Sequence, residues 1–245
     1  MRVAKSCIVF EKSITINTEH NDRTLAPSYL IGGNVECNRS AKEALQLKNQ
    51  IIEDAKEAYF KWRGQKFKAK SYEWSAVVNL KPDSTMQDLE NLANHFQNKY
   101  GFQCYQIAIH RDEGHIDDNG NKQINHHAHL EFITLDKDTG KSLQREITPK
   151  VLRQIQDENA QILQMERGTD KKDSKRKHLR GREYARMKQE EEANTKKLRD
   201  ELAKKEAEIQ VLEIENQKLK QRLEKFKSID LYPFTNSKNQ TRIKL

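Results

Sequence analysis

The sequence predicts an α+β fold, in which an antiparallel sheet is flanked by helices and followed by a long C-terminal coiled-coil helix. Strand and helix patterns alternate in the order β-α-β-α-β-β-α over the first two thirds of the chain, as expected for a sheet covered by helices. A heptad repeat then begins at Thr195. With 35% hydrophobic and 33% charged residues, the 245-residue chain cannot bury a compact core along its whole length.

Four segments have the composition of strands. The first, Ser6–Lys12, is short, and Tyr72–Leu80 reads as a buried strand because it is rich in β-branched and aromatic residues. Two further strands, Gln103–His110 and His126–Leu135, are joined by the turn signal DDNGN. The stretch NTEHNDRTLAPS after the first strand is predicted to be a polar loop.

Two helices are predicted between these strands. Ser40 and Glu43 form a capping box for the first, and Ser84 with Gln87 marks the start of the second. Gly101 is placed to end the second helix. Their apolar stripes are Leu47, Ile51, Ala55, Tyr59 and Trp62, and Met86, Leu89, Ala93, Phe96 and Tyr100.

A third helix closes the predicted domain, with Thr148 as its cap and Pro149 at its first position. A strongly basic stretch with little apolar content follows, and the heptads come after it. The predicted organisation is a compact domain at 1–168, a basic DNA-contacting linker at 169–190, a dimerisation helix at 191–228 and a flexible tail at 229–245.

The heptad repeat predicts a homodimer. Its a positions are Thr195, Leu202, Ile209, Asn216 and Leu223, and its d positions are Leu198, Lys205, Leu212, Leu219 and Phe226. A lone Asn in a mostly aliphatic a layer is typical of parallel two-stranded coiled coils, while Lys205 weakens the middle of the seam. The alternative is a single solvated amphipathic helix that lies on the protein itself.

The charge and cysteine content suggest the compartment and the partner. A formal charge of +8 and a pI near 9.2 favour a polyanionic partner, first of all nucleic acid, over an ordinary basic protein. Cys7, Cys37 and Cys104 are widely spaced and form no C-x-x-C pair, which favours a reduced, cytoplasmic setting. Because no long apolar run is present, we expect no signal peptide and no membrane segment.

Five of the eight histidines fall between Gln103 and Phe132. Side chains alternate between the faces of a strand, so His127 and His129 share one face while large apolar residues occupy the other. His110 ends the preceding strand, and in an antiparallel hairpin it is a neighbour of His127. Three imidazoles therefore converge, which predicts a site for a divalent transition metal.

The same stretch contains Asp112, Glu113, His115, His126 and Cys104. Asp112 and Glu113 can orient a ligand histidine or act as a base. His126 is predicted to face away from the site, and His115 lies in the connecting loop. A structural zinc site usually has a fourth protein ligand, and Cys104 is predicted to point with the ligand face but from the far end of its strand.

Three stretches together resemble the HUH endonucleases and, more narrowly, the MobV/Pre-type plasmid mobilisation relaxases. They are EHNDR at Glu19–Arg23, the metal motif HRDE…HHAH, and MERGTDKKDSKRKHLRGREY at the end of the predicted domain. Their order and spacing agree with the family over roughly residues 1–190. One departure is the thirteen-residue linker Gly114–His126, where the family usually has a short Thr-Pro linker.

The resemblance implies a relaxase that nicks one DNA strand at an origin of transfer and stays joined to the 5′ phosphate. His110, His127 and His129 would hold a divalent metal, first of all Mn²⁺, with Mg²⁺ or Zn²⁺ as alternatives. Glu113 would be the acidic partner. The family's N-terminal motif makes His20 the nucleophile, with Arg23 binding phosphate, whereas most other HUH enzymes use a tyrosine, here Tyr29.

The implied partners are single-stranded origin DNA, a second copy of the chain, and other mobilisation or coupling proteins. Two basic segments are expected to follow phosphates, and aromatic residues near the first can stack on bases. The alternative is that both basic segments are only solvated surface. The predicted DNA-binding residues are Arg23, Lys61, Arg63, Lys66, Lys68 and Lys70, and in the second segment Lys175, Arg176, Lys177 and Arg180.

Two other functions are compatible with the sequence. One is a non-catalytic, dimeric DNA-binding regulator in which the hairpin holds a structural metal. The other is a replication initiator or transposase of the same HUH group. The regulator would bind DNA without forming a covalent adduct, and the initiator would act at a different recognition sequence.

Overall fold

A computed structural model of the chain describes residues 5–13, 17–117, 120–169 and 181–229. The chain divides into two units, Met1–Ser174 and Lys175–Leu245. Residues 170–180 of the predicted linker and 230–245 of the predicted tail lie outside the described residues, and with them Lys175, Arg176, Lys177 and Arg180.

The elements alternate along the first unit much as the sequence predicts. The strands are β1 (Lys5–Ser6), β2 (Ile8–Lys12), β3 (Val35–Cys37), β4 (Glu73–Asn79), β5 (Gln103–His110), β6 (Gly114–Ile116), β7 (Lys122–Ile124), β8 (His127–Ile133) and β9 (Glu166–Arg167). The helices are α1 (Asn17–Asn21), α2 (Ala41–Arg63), α3 (Met86–Tyr100), a 3₁₀ turn at Gln144–Glu146, α4 (Pro149–Ile162) and, in the second unit, α5 (Gly181–Ile229).

The central feature is a five-stranded antiparallel sheet with the order β2-β4-β8-β5-β3. Its two middle strands, β8 and β5, are the predicted histidine hairpin. The predicted fold, an antiparallel sheet with flanking helices, is therefore confirmed. A short parallel pair, β1 with β9, joins the two ends of the unit.

The two faces of the sheet carry different residues, because side chains alternate along β5 and β8. Ile107, Ile109 and Leu130 point to one face, where they are buried against α3 and α4. On the opposite face lie α1 and α2; there Tyr105 and Ile133 pack against α2. The histidines of β5 and β8 belong to this second face.

The helix caps follow the sequence signals with one correction. Ser40 and Glu43 form the predicted capping box of α2. The prediction for α3 is wrong by one residue, because Thr85 and Asp88 form its capping box. Ser84 instead accepts a hydrogen bond from the backbone N–H of Lys81. The predicted end of α3 at Gly101 and the predicted cap of α4 at Thr148 are both present.

A β-bulge changes the face on which Cys104 lies. The pairing of β5 with β8 shifts between Cys104 and Gln106, so Tyr105 takes the inner position beside α2. Cys104 packs with the apolar core on the other face. The prediction that Cys104 points with the ligand face is therefore wrong.

Several short elements were not predicted, namely α1, β3, β6, β7, β9 and the 3₁₀ turn. The stretch predicted as a polar loop begins with a five-residue helix, α1, which is too short to show a periodic apolar pattern. The strand β3 forms the edge of the sheet beside β5.

Helix α5 is long, and its apolar side chains are exposed, including Leu198, Leu212 and Phe226. Pairing through this helix is not visible in a single chain, so the coiled coil remains a prediction. Among the described residues, no helix combines the length and apolar character needed to cross a bilayer.

Candidate metal centre

Three histidines converge where β5 ends and β8 begins. The antiparallel register places His110 opposite His127, and Ala108 opposite His129. The ring centroids of His110 lie 5.2 Å from His127 and 4.8 Å from His129, and those of His127 and His129 are 5.1 Å apart. Strand alternation and register alone thus bring together the three predicted metal ligands.

Backbone carbonyls orient two of these rings. Nε2 of His110 lies 2.9 Å from the carbonyl oxygen of Asn21, and Nδ1 of His127 lies 2.8 Å from that of Asn125. A ring nitrogen facing a carbonyl must carry the proton, so the other nitrogen, with its lone pair, faces the site. This is the usual way in which a protein fixes the tautomer of a metal-binding histidine.

The histidine nitrogens in the site fit a metal. His110 Nδ1 and His129 Nε2 are buried without a hydrogen-bond partner among the described residues. Burial lowers the pKa of His127 and, together with the neighbouring histidines, lowers that of His129 well below its usual range. Neutral, buried imidazoles with unsatisfied lone pairs are suited to a divalent transition metal.

Glu113 lies at the centre of the cluster. Its Oε1 is 3.6 Å from His110 Nδ1 and 3.7 Å from His20 Nε2, and its Oε2 is 3.9 Å from His127 Nε2. Burial alone would raise the pKa of this carboxyl group, but the adjacent histidines and Arg23 outweigh burial and lower it to about 2. Glu113 is therefore a carboxylate that can join the ligands or accept a proton.

His20 reaches the cluster from α1. Its ring contacts those of His110 and His129 edge to face, at centroid distances of 5.4 and 5.5 Å. Burial, followed by the charge of Arg23, lowers the pKa of His20 to about 4. The ring is thus neutral near pH 7, which is the form needed for a nucleophile or a ligand.

Among the described residues, two overlapping groups have ligand atoms within 4.8 Å of one another. One consists of His110, Glu113 and His127, and the other of His20, His110 and His129. His110 belongs to both groups, whereas His127 and His129 belong to different ones. His20 occupies the side of the cluster nearest α1.

Arg23 is held by acidic residues. Its guanidinium donates to Asp112 through Nε at 2.8 Å and Nη2 at 2.7 Å, and to Glu113 through Nη2 at 2.7 Å. Nη1 lies 3.3 Å from both ring nitrogens of His20. The left-handed backbone of Arg23, with φ of 64°, is uncommon for a residue other than glycine and is held by these contacts.

The long linker after Glu113 forms a hairpin. Strands β6 and β7 pair with each other, and the N–H of Asn125 donates to the carbonyl oxygen of Glu113 at 2.8 Å. The two ends of the insertion are therefore adjacent, so the extra residues leave Glu113 beside the histidines. His115 lies in this hairpin and is exposed.

The remaining site predictions are placed as follows. His126 precedes β8, outside both ligand groups. Tyr29 lies in the segment between α1 and β3 and is 55% exposed.

Arg63 stacks on Trp62 with 4.5 Å between Cζ and the ring centroid, and Lys61 pairs with Glu57. Exposed lysines follow after the end of α2, namely Lys66, Lys68 and Lys70.

Sequence reasoning missed the residues that fix α1 to the sheet. Glu131 lies on the ligand face of β8 and is fully buried. It accepts hydrogen bonds from Ser13 and Ser75 at 2.6 Å, and from the side-chain amides of Asn17 and Asn21 at 3.4 Å. Because Asn21 also contacts His110 through its carbonyl, this network joins the helix of His20 to the strands of the metal ligands.

Replacing Glu131 by glutamine is expected to lower the free energy of unfolding by about 2 kcal/mol, because the new NH₂ group would face donors. Chemical denaturation followed by circular dichroism measures this change. Glu36→Gln is the matched control, because the Glu36 side chain is 42% exposed and pairs with Arg111 at the surface. Equal effects of the two substitutions would contradict the role of the network.

The sheet, the converging histidines and the adjoining histidine of α1 define a candidate metal centre on an antiparallel sheet. The comparisons with known proteins identify what the chain is similar to. The family model "plasmid recombination enzyme" (Mob_Pre) matches residues 69–186. This segment contains the three histidines and Glu113, whereas His20 and Arg23 precede it. A search of curated proteins gave no match.

Three solved structures share the fold, all of the MobM relaxase domain (MOBV; Mob_Pre) bound to oriT DNA of plasmid pMV158 in Mn-bound form. One with 22 nucleotides, at pH 4.6, is 17% identical, with a TM-score of 0.53, and covers 75% of this chain and 100% of its own. One with 23 nucleotides is 18% identical, with a TM-score of 0.52, and the match covers 75% of this chain and 98% of that structure's chain. One with a 3′ thiophosphate is 16% identical, with a TM-score of 0.54, and the match covers 75% of this chain and 99% of that structure's chain.

At these identities the structural likeness establishes the fold. The family match establishes the similarity in sequence. The predicted resemblance to MobV/Pre-type plasmid mobilisation relaxases is thus confirmed on both grounds.

Proposed function

We propose that the chain is a DNA relaxase of a plasmid or other mobile element, which nicks one strand at an origin of transfer. The observation that carries the proposal is the position of His20 beside the metal centre. Its Nε2 lies 3.7 Å from Glu113, which also adjoins two of the three clustered histidines. A candidate nucleophile, a base and a metal site thus meet in one place.

The comparisons support the substrate and the cofactor. The similar MobM domains are described as bound to oriT DNA and to Mn. By this similarity we propose origin DNA as the substrate of this chain and Mn²⁺ as the first candidate for its metal, held by His110, His127 and His129. A bound divalent ion would polarise the scissile phosphate and neutralise charge on the leaving oxygen.

The proposed reaction is a transesterification at phosphorus. A ring nitrogen of His20 attacks the phosphorus through its lone pair, an N–P bond forms, and the bond from phosphorus to the 3′ oxygen breaks. The proton on the other ring nitrogen passes, through Glu113 or solvent, to the 3′ oxygen, which leaves as a hydroxyl group. The chain then remains joined to the 5′ phosphate, and both charge and protons balance.

Arg23 has a positioning role in this scheme. Its Nε and Nη2 donate to Asp112, and Nη2 also donates to Glu113, which holds the Glu113 carboxylate against the histidines. Burial, with the positive charge of Arg23 as the second cause, lowers the pKa of His20. The sequence alone suggests that Arg23 binds phosphate. In the structure its guanidinium is already engaged by two carboxylates, and only Nη1 is directed at His20.

The test is incubation of the full chain with labelled single-stranded oligonucleotides from the origin of its own element, with and without Mn²⁺. We expect a protein–DNA adduct that survives SDS and requires the metal. Intact binding without an adduct across candidate origins would favour the non-catalytic DNA-binding regulator. An adduct formed only at a replication origin or transposon end would favour the initiator or transposase.

We further propose that the end of α2 and the segment after it contact DNA. Phe60 and Trp62 are 61% and 47% exposed, and the lysines beyond them leave the region strongly basic. Exposed aromatic rings beside cations are suited to stacking bases and following phosphates.

This surface predicts separable effects of aromatic and basic substitutions. With about six phosphate contacts, the logarithm of affinity should fall against the logarithm of salt with a slope of about −4. Trp62→Ala should weaken binding about tenfold with the slope unchanged. Replacing Lys66, Lys68 and Lys70 together should make the slope shallower by about 2.

Fluorescence anisotropy with single-stranded DNA measures both quantities. Lys150→Ala is the matched control, because this exposed lysine lies on α4, at the opposite face of the sheet. A loss of affinity in the control equal to that in the variants would contradict the proposed surface.

We also propose that the chain forms a homodimer through α5. Its a and d residues are exposed in the single chain, with Leu198 at 67% and Leu219 at 62%. A row of exposed leucines on a long helix is suited to pairing with another helix. We propose other mobilisation or coupling proteins as further partners of the same complex.

A further inference from the structure

We infer that two copies of α5 pair in antiparallel orientation. The inference rests on the proposed dimer and goes beyond it, because the lone Asn216 suggests the parallel orientation. It is carried by the charges that flank the apolar seam. In a coiled coil the e and g residues lie beside the seam and select the orientation of the partner.

The apolar seam continues along most of α5. Leu202, Ile209, Leu212, Leu223 and Phe226 are all at a or d positions and are between 53% and 70% exposed. Nothing in the described part of the second unit covers them. A second copy would supply an identical seam.

The flanking charges separate along the helix. Between Glu201 and Glu215 every e and g position is acidic, and between Lys220 and Lys227 every one is basic. The acidic members are Glu201, Glu206, Glu208, Glu213 and Glu215, and the basic members are Lys220, Arg222 and Lys227. Such a polarised helix is complementary to a copy that runs the other way.

A parallel pair in register brings like charges together. There each g residue faces the e residue five positions further along the second copy. Glu201 would face Glu206, and Glu208 would face Glu213. Arg222 would face Lys227 in the same way. Glu215 with Lys220 is the one favourable pair between Glu201 and Lys227, and Lys205 would face its own copy in the seam.

The antiparallel pair removes most of these conflicts. In that orientation e faces e and g faces g, and the best register sets Ile209 opposite Leu219 of the second copy. With the same five-residue offset, the flanking pairs become Glu206 with Lys227, Glu213 with Lys220 and Glu201 with Arg222, and Glu208 with Glu215 is the one like-charged pair.

The seam of this register is mostly apolar. Its layers pair Leu202 with Phe226, Ile209 with Leu219, Lys205 with Leu223, and Leu212 with Asn216. Lys205 can pack its aliphatic stem on the leucine and extend its ammonium group to water. Asn216 faces a leucine here, which is less favourable than facing the Asn216 of a parallel copy. The unlike-charged pairs outweigh this cost, because each of them occurs twice per dimer.

The orientation of the two helices determines the distance between their first residues. In this register the centre of the pair lies near Ile214, so the two helix starts at Gly181 are about 100 Å apart, at 1.5 Å per residue. In a parallel pair they would be about 10 Å apart. An antiparallel dimer therefore suits two catalytic units that act at separate sites.

Charge reversal in the full chain distinguishes the two orientations. Lys227→Glu would face Glu206 in the antiparallel pair but Arg222 in the parallel pair. We therefore expect this substitution, and likewise Glu206→Lys, to weaken the dimer about tenfold at low salt. The double substitution should restore it. Sedimentation equilibrium measures the dissociation constants, and a strengthened dimer in either single variant would overturn the inference.

Disulfide trapping gives a second, independent measurement. A mixture of the Leu212→Cys and Asn216→Cys chains should form a mixed disulfide-linked dimer, whereas each variant alone should not. The unsubstituted chain, with its three cysteines, reports the background. Crosslinking of Asn216→Cys with itself, or a monomer at every concentration, would overturn the inference. The oligonucleotide adduct assay, run on the same samples, tests the nicking activity separately.

Discussion

His20→Ala is expected to lower the yield of the covalent protein–DNA adduct by at least about 10³-fold, while Tyr29→Phe leaves it within about twofold. His20 adjoins Glu113 and contacts the rings of His110 and His129. Tyr29 is 55% exposed in the segment between α1 and β3. The adduct is measured by SDS gel electrophoresis with a labelled oligonucleotide.

Binding must be separated from chemistry in this experiment. The His20 ring is not part of the core, so the variant should keep its affinity for single-stranded DNA and its melting temperature. Lost affinity would mean that His20 positions the DNA. Loss of the adduct in the Tyr29→Phe variant alone would overturn the assignment of the nucleophile.

His129→Ala is expected to weaken Mn²⁺ binding by at least about 100-fold. The Nε2 of His129 is buried and has no hydrogen-bond partner among the described residues, and the ring lies 4.8 Å from that of His110. Removing it leaves the cluster without one of its three imidazole donors. Isothermal titration calorimetry of the full chain measures the affinity.

His126→Ala is the matched control, because His126 is in the same stretch but outside both ligand groups. It should bind Mn²⁺ as the unsubstituted chain does. If His129→Ala lowers the melting temperature, His129→Gln is the second variant, because it keeps more of the side-chain volume and still removes the imidazole donor. Unchanged metal affinity in both His129 variants would contradict the proposed centre.

Strand alternation was sufficient to predict the three clustered histidines. The period of two fixes which side chains share a face, and the antiparallel register fixes which of them are neighbours. It failed for Cys104, because a bulge shifts the register and cannot be read from alternation. It also failed by one residue at α3, where Ser84 and Thr85 are both good capping residues. Thr85 prevails because Asp88 completes its capping box.

The contacts that join α1 to the sheet could not be predicted. Glu131 has no signal in the sequence beyond its alternation with His129. Its five donors come from Ser13, which follows β2, and from α1, β4 and β5. The pairing of Arg23 with Asp112 and Glu113 likewise joins segments nearly ninety residues apart. Such contacts depend on tertiary structure, so sequence patterns over short windows do not contain them.

The most direct test of the proposed reaction is mass spectrometry of the tryptic peptide that carries the DNA. Trypsin separates the two candidates, with His20 in Ser13–Arg23 and Tyr29 in Thr24–Arg39. We predict that the oligonucleotide is attached to Ser13–Arg23 through an acid-labile N–P bond at His20. Attachment to Thr24–Arg39 through an acid-stable ester at Tyr29 would contradict the proposed mechanism.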